Sequence, residues 1–273
     1  SLSTCDYPDL RPLLQKLKPI TDARKVTIAL PSTRVDSFEA EFVEQSRKGS
    51  LTFAPEAGTQ RLRDVINKNI TEDDIFTCMR RAFEKGYSSV KLYFMIGLPT
   101  ETDEDLLAIA DLAARIKQVY RECATGKGYV NITVSASTFV PKPFTPFQWD
   151  AQIGKSEIRR RQDLLKSALS KIRVNFNYHG SDSSVLEAVF ARGDERLGQV
   201  ILKASEKGCV FDSWGEYFDF EKWRAAFDEC GVKMEDYTRE FAEDEILPWS
   251  FVDVGVTQSY LKEERAKSRR AET

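Results

Sequence analysis

The sequence predicts an α/β fold with parallel strands, part of a (β/α) barrel of the TIM type, followed by a small, mainly helical C-terminal extension. Three observations carry that prediction. Strand-like runs alternate with amphipathic helices from Leu51 to Ser137. The run Val90–Ile96 is apolar along nearly its whole length, as strands of a parallel sheet are. The helices open on hydroxyl–carboxylate caps, and the first of them closes on Lys85-Gly86, so the turns of the repeat can be placed.

The elements follow in order. Leu10, Leu13, Leu14 and Leu17 share one helical face, and Lys25–Leu30 alternates Val26, Ile28 and Leu30 as a strand. Arg34 stands just past that strand's end, where barrel folds build their sites. Ser37–Gln45 reads as a short helix with Phe38, Phe42 and Val43 facing inward. Leu51–Ala54 is a short strand that breaks at Pro55-Glu56-Ala57-Gly58, where the glycine permits a tight bend before a helix. Thr71, with Asp74 three residues on, caps a helix whose apolar stripe is Ile75, Cys78, Met79, Ala82 and Phe83.

On the strand that follows, Val90, Leu92, Phe94 and Ile96 face the helices, while Lys91, Tyr93 and Met95 line the barrel lumen. Gly97-Leu98-Pro99 ends this strand, and Thr102–Asp105 caps a helix with the stripe Leu106, Ile109, Ala113, Ile116 and Tyr120. Tyr129–Ser137 sets Val130, Ile132, Val134 and Ala136 against Asn131, Thr133, Ser135 and Ser137. A small polar face of that kind suits a cavity wall. Pro141, Pro143 and Pro146 exclude helix from Thr138–Trp149 and fix an extended path. Its aromatic residues either pack it as a rigid linker or meet a substrate.

Residues 1–150 therefore read as the partial barrel, 151–260 as the helical extension and 261–273 as a charged tail that frays. The extension contains a helix at Ser156–Lys171, a further strand at Arg173–Tyr178, and helices at Ser184–Phe190, Leu197–Lys207 and Phe220–Glu229. Trp214, Tyr217, Phe218, Phe220 and Trp223 are expected to form its aromatic core. Arg192-Gly193-Asp194 reads as a helix junction.

Composition narrows the function. With 273 residues, 41% hydrophobic and 30% charged, the chain has the make-up of an ordinary globular protein. A net charge of -3 gives no electrostatic reason to expect tight, nonspecific nucleic-acid binding, no DNA partner is expected, and no apolar run approaches a membrane span. The single histidine, His179, and the absence of a Gly-x-Ser-x-Gly elbow leave hydrolytic triads and histidine metal sites without support. The five cysteines, Cys5, Cys78, Cys123, Cys209 and Cys230, are scattered, which argues against disulfides or zinc and fits a reducing cytoplasm. Glu56 follows a strand and precedes a helix, with no apolar stripe to explain it. The backbone N–H groups of Ala57 to Gln60 are expected at the same mouth as an anion site.

PEAGTQRLRDVINKNITEDDI (Pro55–Ile75) and YFMIGLPTETDED (Tyr93–Asp105) resemble the C-terminal part of the core of radical S-adenosylmethionine (radical SAM) enzymes. The likeness is to the branch carrying a cobalamin-binding domain, and through VPKPFTPFQW (Val140–Trp149) and LEAVFARGDERLG (Leu186–Gly198) the chain resembles one subgroup of it. The resemblance implies a barrel of the radical SAM type that holds S-adenosylmethionine beside a 4Fe–4S cluster, and a cobalamin in the full-length protein. Such a cluster needs three cysteines in a CxxxCxxC loop, which this chain lacks. The ligands are accordingly expected upstream, and the chain is expected to be a fragment starting inside the second barrel strand.

By resemblance, Glu56 and Gly58 would contact the methionine or ribose part of the cofactor, with Lys68 as the family's basic residue. Gly97, Leu98 and Pro99 would border the adenine, and Arg34 and the polar strand at Ser135 would approach the cofactor. The implied activity is radical generation, or methyl or sulfur transfer, on a small molecule or RNA, with a flavodoxin or ferredoxin as reductant. A cluster-less barrel serving as a scaffold or RNA adaptor is the alternative.

Overall fold

Alternation along consecutive strands decides the architecture. The computed structural model describes residues 7–26, 28, 50–124 and 128–270. Strands β1 (Leu51–Glu56), β2 (Ser89–Ile96), β3 (Asn131–Thr138) and β4 (Asn175–Tyr178) lie side by side in chain order, each parallel to its neighbour. Parallel neighbours require a crossover between every pair. Helices α2 (Gln60–Val65) and α3 (Glu72–Glu84) supply the first, α4 (Asp103–Cys123) the second and α5 (Lys155–Lys171) the third, while α1 (Leu10–Arg24) precedes the sheet.

The pairing of β2 with β3 is unbroken: Val90 lies opposite Ile132, Leu92 opposite Val134 and Phe94 opposite Ala136. These residues are buried against Ile75, Met79 and Phe83 of α3, Ile109 and Ile116 of α4, and Leu165 and Leu169 of α5. Burial of each large side chain in such a layer contributes about 1.5–3 kcal/mol. Capping boxes at Thr71/Asp74 and Thr102/Asp105 start α3 and α4 where the sequence places them. Cys78 is buried within the α3 stripe, as its spacing predicts.

Downstream of β4, α6 (Ser181–Ala191), α7 (Leu197–Glu206), α8 (Phe220–Glu229), α9 (Glu235–Thr238) and α10 (Gln258–Arg270) make the helical extension. Leu186, Val189, Val200, Phe227 and Tyr237 form its core. The fold is thus the expected α/β class with a helical extension.

Several details differ from expectation. β1 runs on through Pro55 to Glu56, with a register shift between Phe53 and Glu56, because proline has no N–H to give the ladder. The further strand expected at Arg173–Tyr178 begins at Asn175, and as β4 it pairs with β3 and so belongs to the sheet. Leu13 is exposed, although Leu10 and Leu14 are buried. Trp214 and Tyr217 do not build the C-terminal core: they are 57% and 58% exposed and form a surface cluster with Phe211. Lys25 ends α1 in a left-handed conformation. Most of the strand expected after it, the helix expected at Ser37–Gln45, and Arg34 lie outside the described residues.

The charged tail does not fray over residues 258–270. Leu261 is buried with Trp149, Phe241, Leu247 and Trp249, and Arg265 donates to Asp150 at 3.0 and 3.2 Å while also reaching Glu240 and Glu243. Arg269 also binds Asp150. These bonds clamp α10 to the loop after β3. Asp150→Asn should therefore lower the stability in urea denaturation by about 1–3 kcal/mol, the usual cost of weakening a buried charged hydrogen bond.

Candidate functional site

A parallel sheet sends all its strands out at one edge, and here that edge gathers the residues the sequence singles out. Glu56 ends β1, Gly97 follows β2, and Ser135 and Ser137 lie toward the end of β3. The sheet face turned away from α3, α4 and α5 is polar. Register stacks Lys91, Thr133 and Asn175 in one layer and Tyr93, Ser135 and Asn177 in the next. Asn175 donates to Asn131 at 3.1 Å, and the Lys91 ammonium sits 4.8 Å from the Tyr93 ring centroid. Ser135 is half-buried in this face.

Glu56 is held in a left-handed conformation, φ 69°, at the bulge of β1. That region costs a non-glycine residue on the order of 1–2 kcal/mol, so the surrounding contacts must enforce it. Lys68 donates to Glu56 at 3.2 Å, and both side chains are about one-quarter exposed, at 28% and 25%. The pair closes a loop around α2, and Arg63 fixes that loop from beneath. Arg63 is fully buried and donates to the carbonyls of Ala57 and Ile70 at 3.1 Å, Gly58 at 3.2 Å and to Gln60 at 3.0 Å. Burial lowers its pKa, opposed by Glu72 and Asp64.

α2 is only six residues long, and the Thr59 hydroxyl already accepts from Leu62 N at 3.2 Å. Gly58 has a packing role: a Cβ there would lie 2.5 Å from Asp105 O and 2.6 Å from Ile109 N, on the backbone of α4.

Ion pairs tie the successive loops of the rim together. Asp105 at the start of α4 receives Thr59 Oγ1 at 2.5 Å and the Arg61 guanidinium, while Arg61 also reaches Thr100 O at 3.0 Å. Burial pushes the Asp105 carboxyl up, but bonds from Arg61, Thr59 and Thr102 outweigh it and leave the pKa below the ordinary range. Next to it, Glu101 is buried, accepts from Gly97 N at 2.6 Å and pairs with Arg161 of α5. Arg161 and Arg160 both bind Glu157 at 2.8 Å, and Arg160 reaches Asp103 at 2.7 Å. Gly97 itself has φ 79°, and a Cβ would meet the Ile153 side chain at 2.6 Å. Leu98 is buried among Ala57, Leu62, Val65 and Phe139, and Pro99 is half-buried beside it.

Arg63, Glu101 and Arg161 are the residues that sequence reasoning missed. Glu101 and Arg161 meet across 60 residues, and Arg63 bonds mostly to nearby loop carbonyls, so no side-chain spacing announces them. The Glu after Gly97-Leu98-Pro99-Thr100 was the nearest available signal.

The described cysteines do not form a cluster site. Cys78 is in the α3 core, Cys123 ends α4, and Cys209 and Cys230 flank the C-terminal core. Among the described residues, no group of three or more His, Cys, Asp or Glu is placed to hold a metal ion. The rim brings together a carboxylate, a cation and a polar wall.

The comparisons bear on this rim. Residues 3–113 match the family model of the Radical SAM superfamily. Enzymes of this superfamily generally use S-adenosylmethionine and a 4Fe–4S cluster, and the matched stretch contains β1, β2 and the loops that carry Glu56, Lys68 and Gly97. An uncharacterized protein of Methanocaldococcus jannaschii is 30% identical over 211 residues, 77% of this chain and 45% of that protein. The chain therefore spans less than half the length of that relative. No helix among the described residues is long and apolar enough to cross a membrane.

Two outcomes follow from the geometry. Gly58→Ala should cost about 1–3 kcal/mol or more in denaturant unfolding, because the methyl meets helix backbone that cannot give. Burial pushes the Glu101 carboxyl up to about 7, against the pull of Gly97 N–H and Arg161. With the folded value raised above the ordinary 4.5, its stabilising effect is complete below 4.5 and is lost as pH rises through 7. Thermal unfolding of the wild type should therefore weaken relative to Glu101→Gln across that window. Parallel pH profiles for the two proteins would contradict the assignment.

Proposed function

We propose that the C-terminal rim of this sheet binds S-adenosylmethionine as part of a radical SAM enzyme. The observation that carries the reading is the Glu56–Lys68 pair at the end of β1, beside Gly97 and the Ser135 face, within the stretch that matches the superfamily. A free methionine tail carries one ammonium and one carboxylate. Inserted into the pair, it gives its ammonium to Glu56 and its carboxylate to Lys68, so the rim's charge is balanced before and after binding. Gly97 turns the chain at φ 79° against Ile153, and the Thr133–Ser135–Ser137 face supplies hydroxyls to a ribose.

Bound beside a 4Fe–4S cluster, the cofactor would supply radical chemistry, or a methyl group by a related route, while any sulfur transferred would come from another donor. The five cysteines of this sequence form no CxxxCxxC loop and do not fit that cluster, and the chain's own part is to hold and orient the cofactor. Membership of the cobalamin-associated branch, a small-molecule or RNA substrate and a flavodoxin or ferredoxin reductant belong to the same proposal. It is supported by the strings Val140–Trp149 and Leu186–Gly198.

Isothermal titration separates this reading from a scaffold role. S-Adenosylmethionine should bind the wild type, and Glu56→Gln or Lys68→Met should weaken it tenfold or more, matching about 1.5–3 kcal/mol for a charged hydrogen bond. Affinity for 5′-deoxyadenosine, which lacks the methionine tail, should be unaltered in both variants. An S-adenosylmethionine affinity indifferent to both substitutions would remove the assignment.

A further inference from the structure

The opposite end of the sheet, where the strands begin, holds a cavity. It measures about 780 Å³ and lies where the C-terminal ends of α4 and α5 meet the chain entering β3. Lys117, Arg121, Lys171 and Arg173 line it together with Tyr120 and Tyr129, and among the described residues no carboxylate does. Among the described residues, none of the four cations is paired with a carboxylate. Other arginines are treated differently: Arg160, Arg161 and Arg265 each sit among carboxylates. Glu122, next to Arg121 in the chain, is drawn away to Arg80 at 3.4 Å and Gln118 at 3.1 Å.

Part of this charge has a structural role. Lys117 donates to Ile172 O at 2.7 Å and Arg173 O at 3.2 Å, which caps α5. Two helix ends carry roughly one negative charge between them, far less than four cations supply. Burial lowers the Lys117 pKa, and Arg121 and Arg173 lower it further, so the cluster is self-repelling. Arg173 holds φ 54°, a left-handed position where glycine would be relaxed, so its charge is kept at a backbone cost. Tyr129 is 96% exposed beside the cavity, with its ring open for stacking.

We propose that this cavity binds a phosphate-bearing nucleotide, its phosphate on Arg121, Lys171 and Arg173 and its base on Tyr129. Both the volume and the mix of charge and aromatic surface fit, since small-ligand sites commonly occupy about 300–1,000 Å³. The nucleotide is either free or one residue of a single RNA strand, because the two present the same chemistry. The site is distinct from the rim at Glu56, since it lies at the ends where the strands begin.

The test titrates ATP, AMP and a short fluorescein-labelled single-stranded oligoribonucleotide into the protein at several salt concentrations. Binding of the mononucleotides would assign a free ligand, and binding of the oligomer alone would assign RNA. Replacing Arg121 by Ala together with Arg173→Gly should weaken binding at least tenfold. For the oligomer, the salt slope should fall by up to about 0.7, the value for one lost phosphate contact. Tyr129→Ala should weaken binding on the order of tenfold through lost stacking. Arg173→Gly relaxes the backbone, so the double variant is expected to fold, and circular dichroism checks this. No binding of any probe at low-millimolar nucleotide and low salt, or affinities unchanged in both variants, would overturn the proposal.

Discussion

The parallel hydrogen-bond register is the constraint on which the rest depends. Because β1 to β4 run the same way in chain order, every loop after a strand arrives at one edge and every loop before a strand at the other. That arrangement separates two chemistries. The leaving edge holds balanced pairs, Glu56 with Lys68 and Glu101 with Arg161, while the entering edge holds unbalanced positive charge. The same register divides the two sheet faces, one apolar against three helices and one lined by hydroxyls and amides.

The leaving edge is braced from loop to loop. Arg61 and Thr59 after β1 bind Asp105 of α4, Glu101 after β2 binds Arg161 of α5, and Arg160 returns to Asp103 at the start of α4. Each bond joins elements that follow different strands, so the loops are positioned relative to one another and not only to their own strands. Surface ion pairs of this kind are weak singly. The buried members, Asp105 and Glu101, give the bracing its geometry, since a buried carboxylate without its partners would be costly. Arg63 does the same work beneath the Glu56 loop by filling the carbonyls of Ala57, Gly58 and Ile70. The rim is therefore pre-organised, which lowers the entropy a ligand must lose there.

What the sequence made legible was local. Period-two alternation in Val90–Ile96 and Asn131–Ser137 named both the buried and the polar face, and the capping boxes at Thr71 and Thr102 set two helix starts. Glu56 stood out because no stripe explained it. What was hidden depended on partners distant in the chain. Gly58 reads as a bend in sequence, yet its missing side chain is explained by the backbone of α4, some fifty residues on. Arg161 sits in an unremarked Arg-Arg-Arg run, and only the fold shows that it reaches Glu101 while Arg160 reaches Asp103. Trp214 and Tyr217 looked like core by residue type, whereas Trp223, nearby in the chain, is the one that is buried.

The clamp of the last helix onto Asp150 has a practical corollary. Residues 258–270 contact α2, the helix that follows Glu56, and cover Trp149 through Leu261, so they act as a brace on the rim's outer wall. A tag fused after Arg270 leaves that brace in place. Trimming the chain before Gln258 would bare Trp149 and the Asp150 carboxylate together, loosening from outside a wall that the sheet holds only from within.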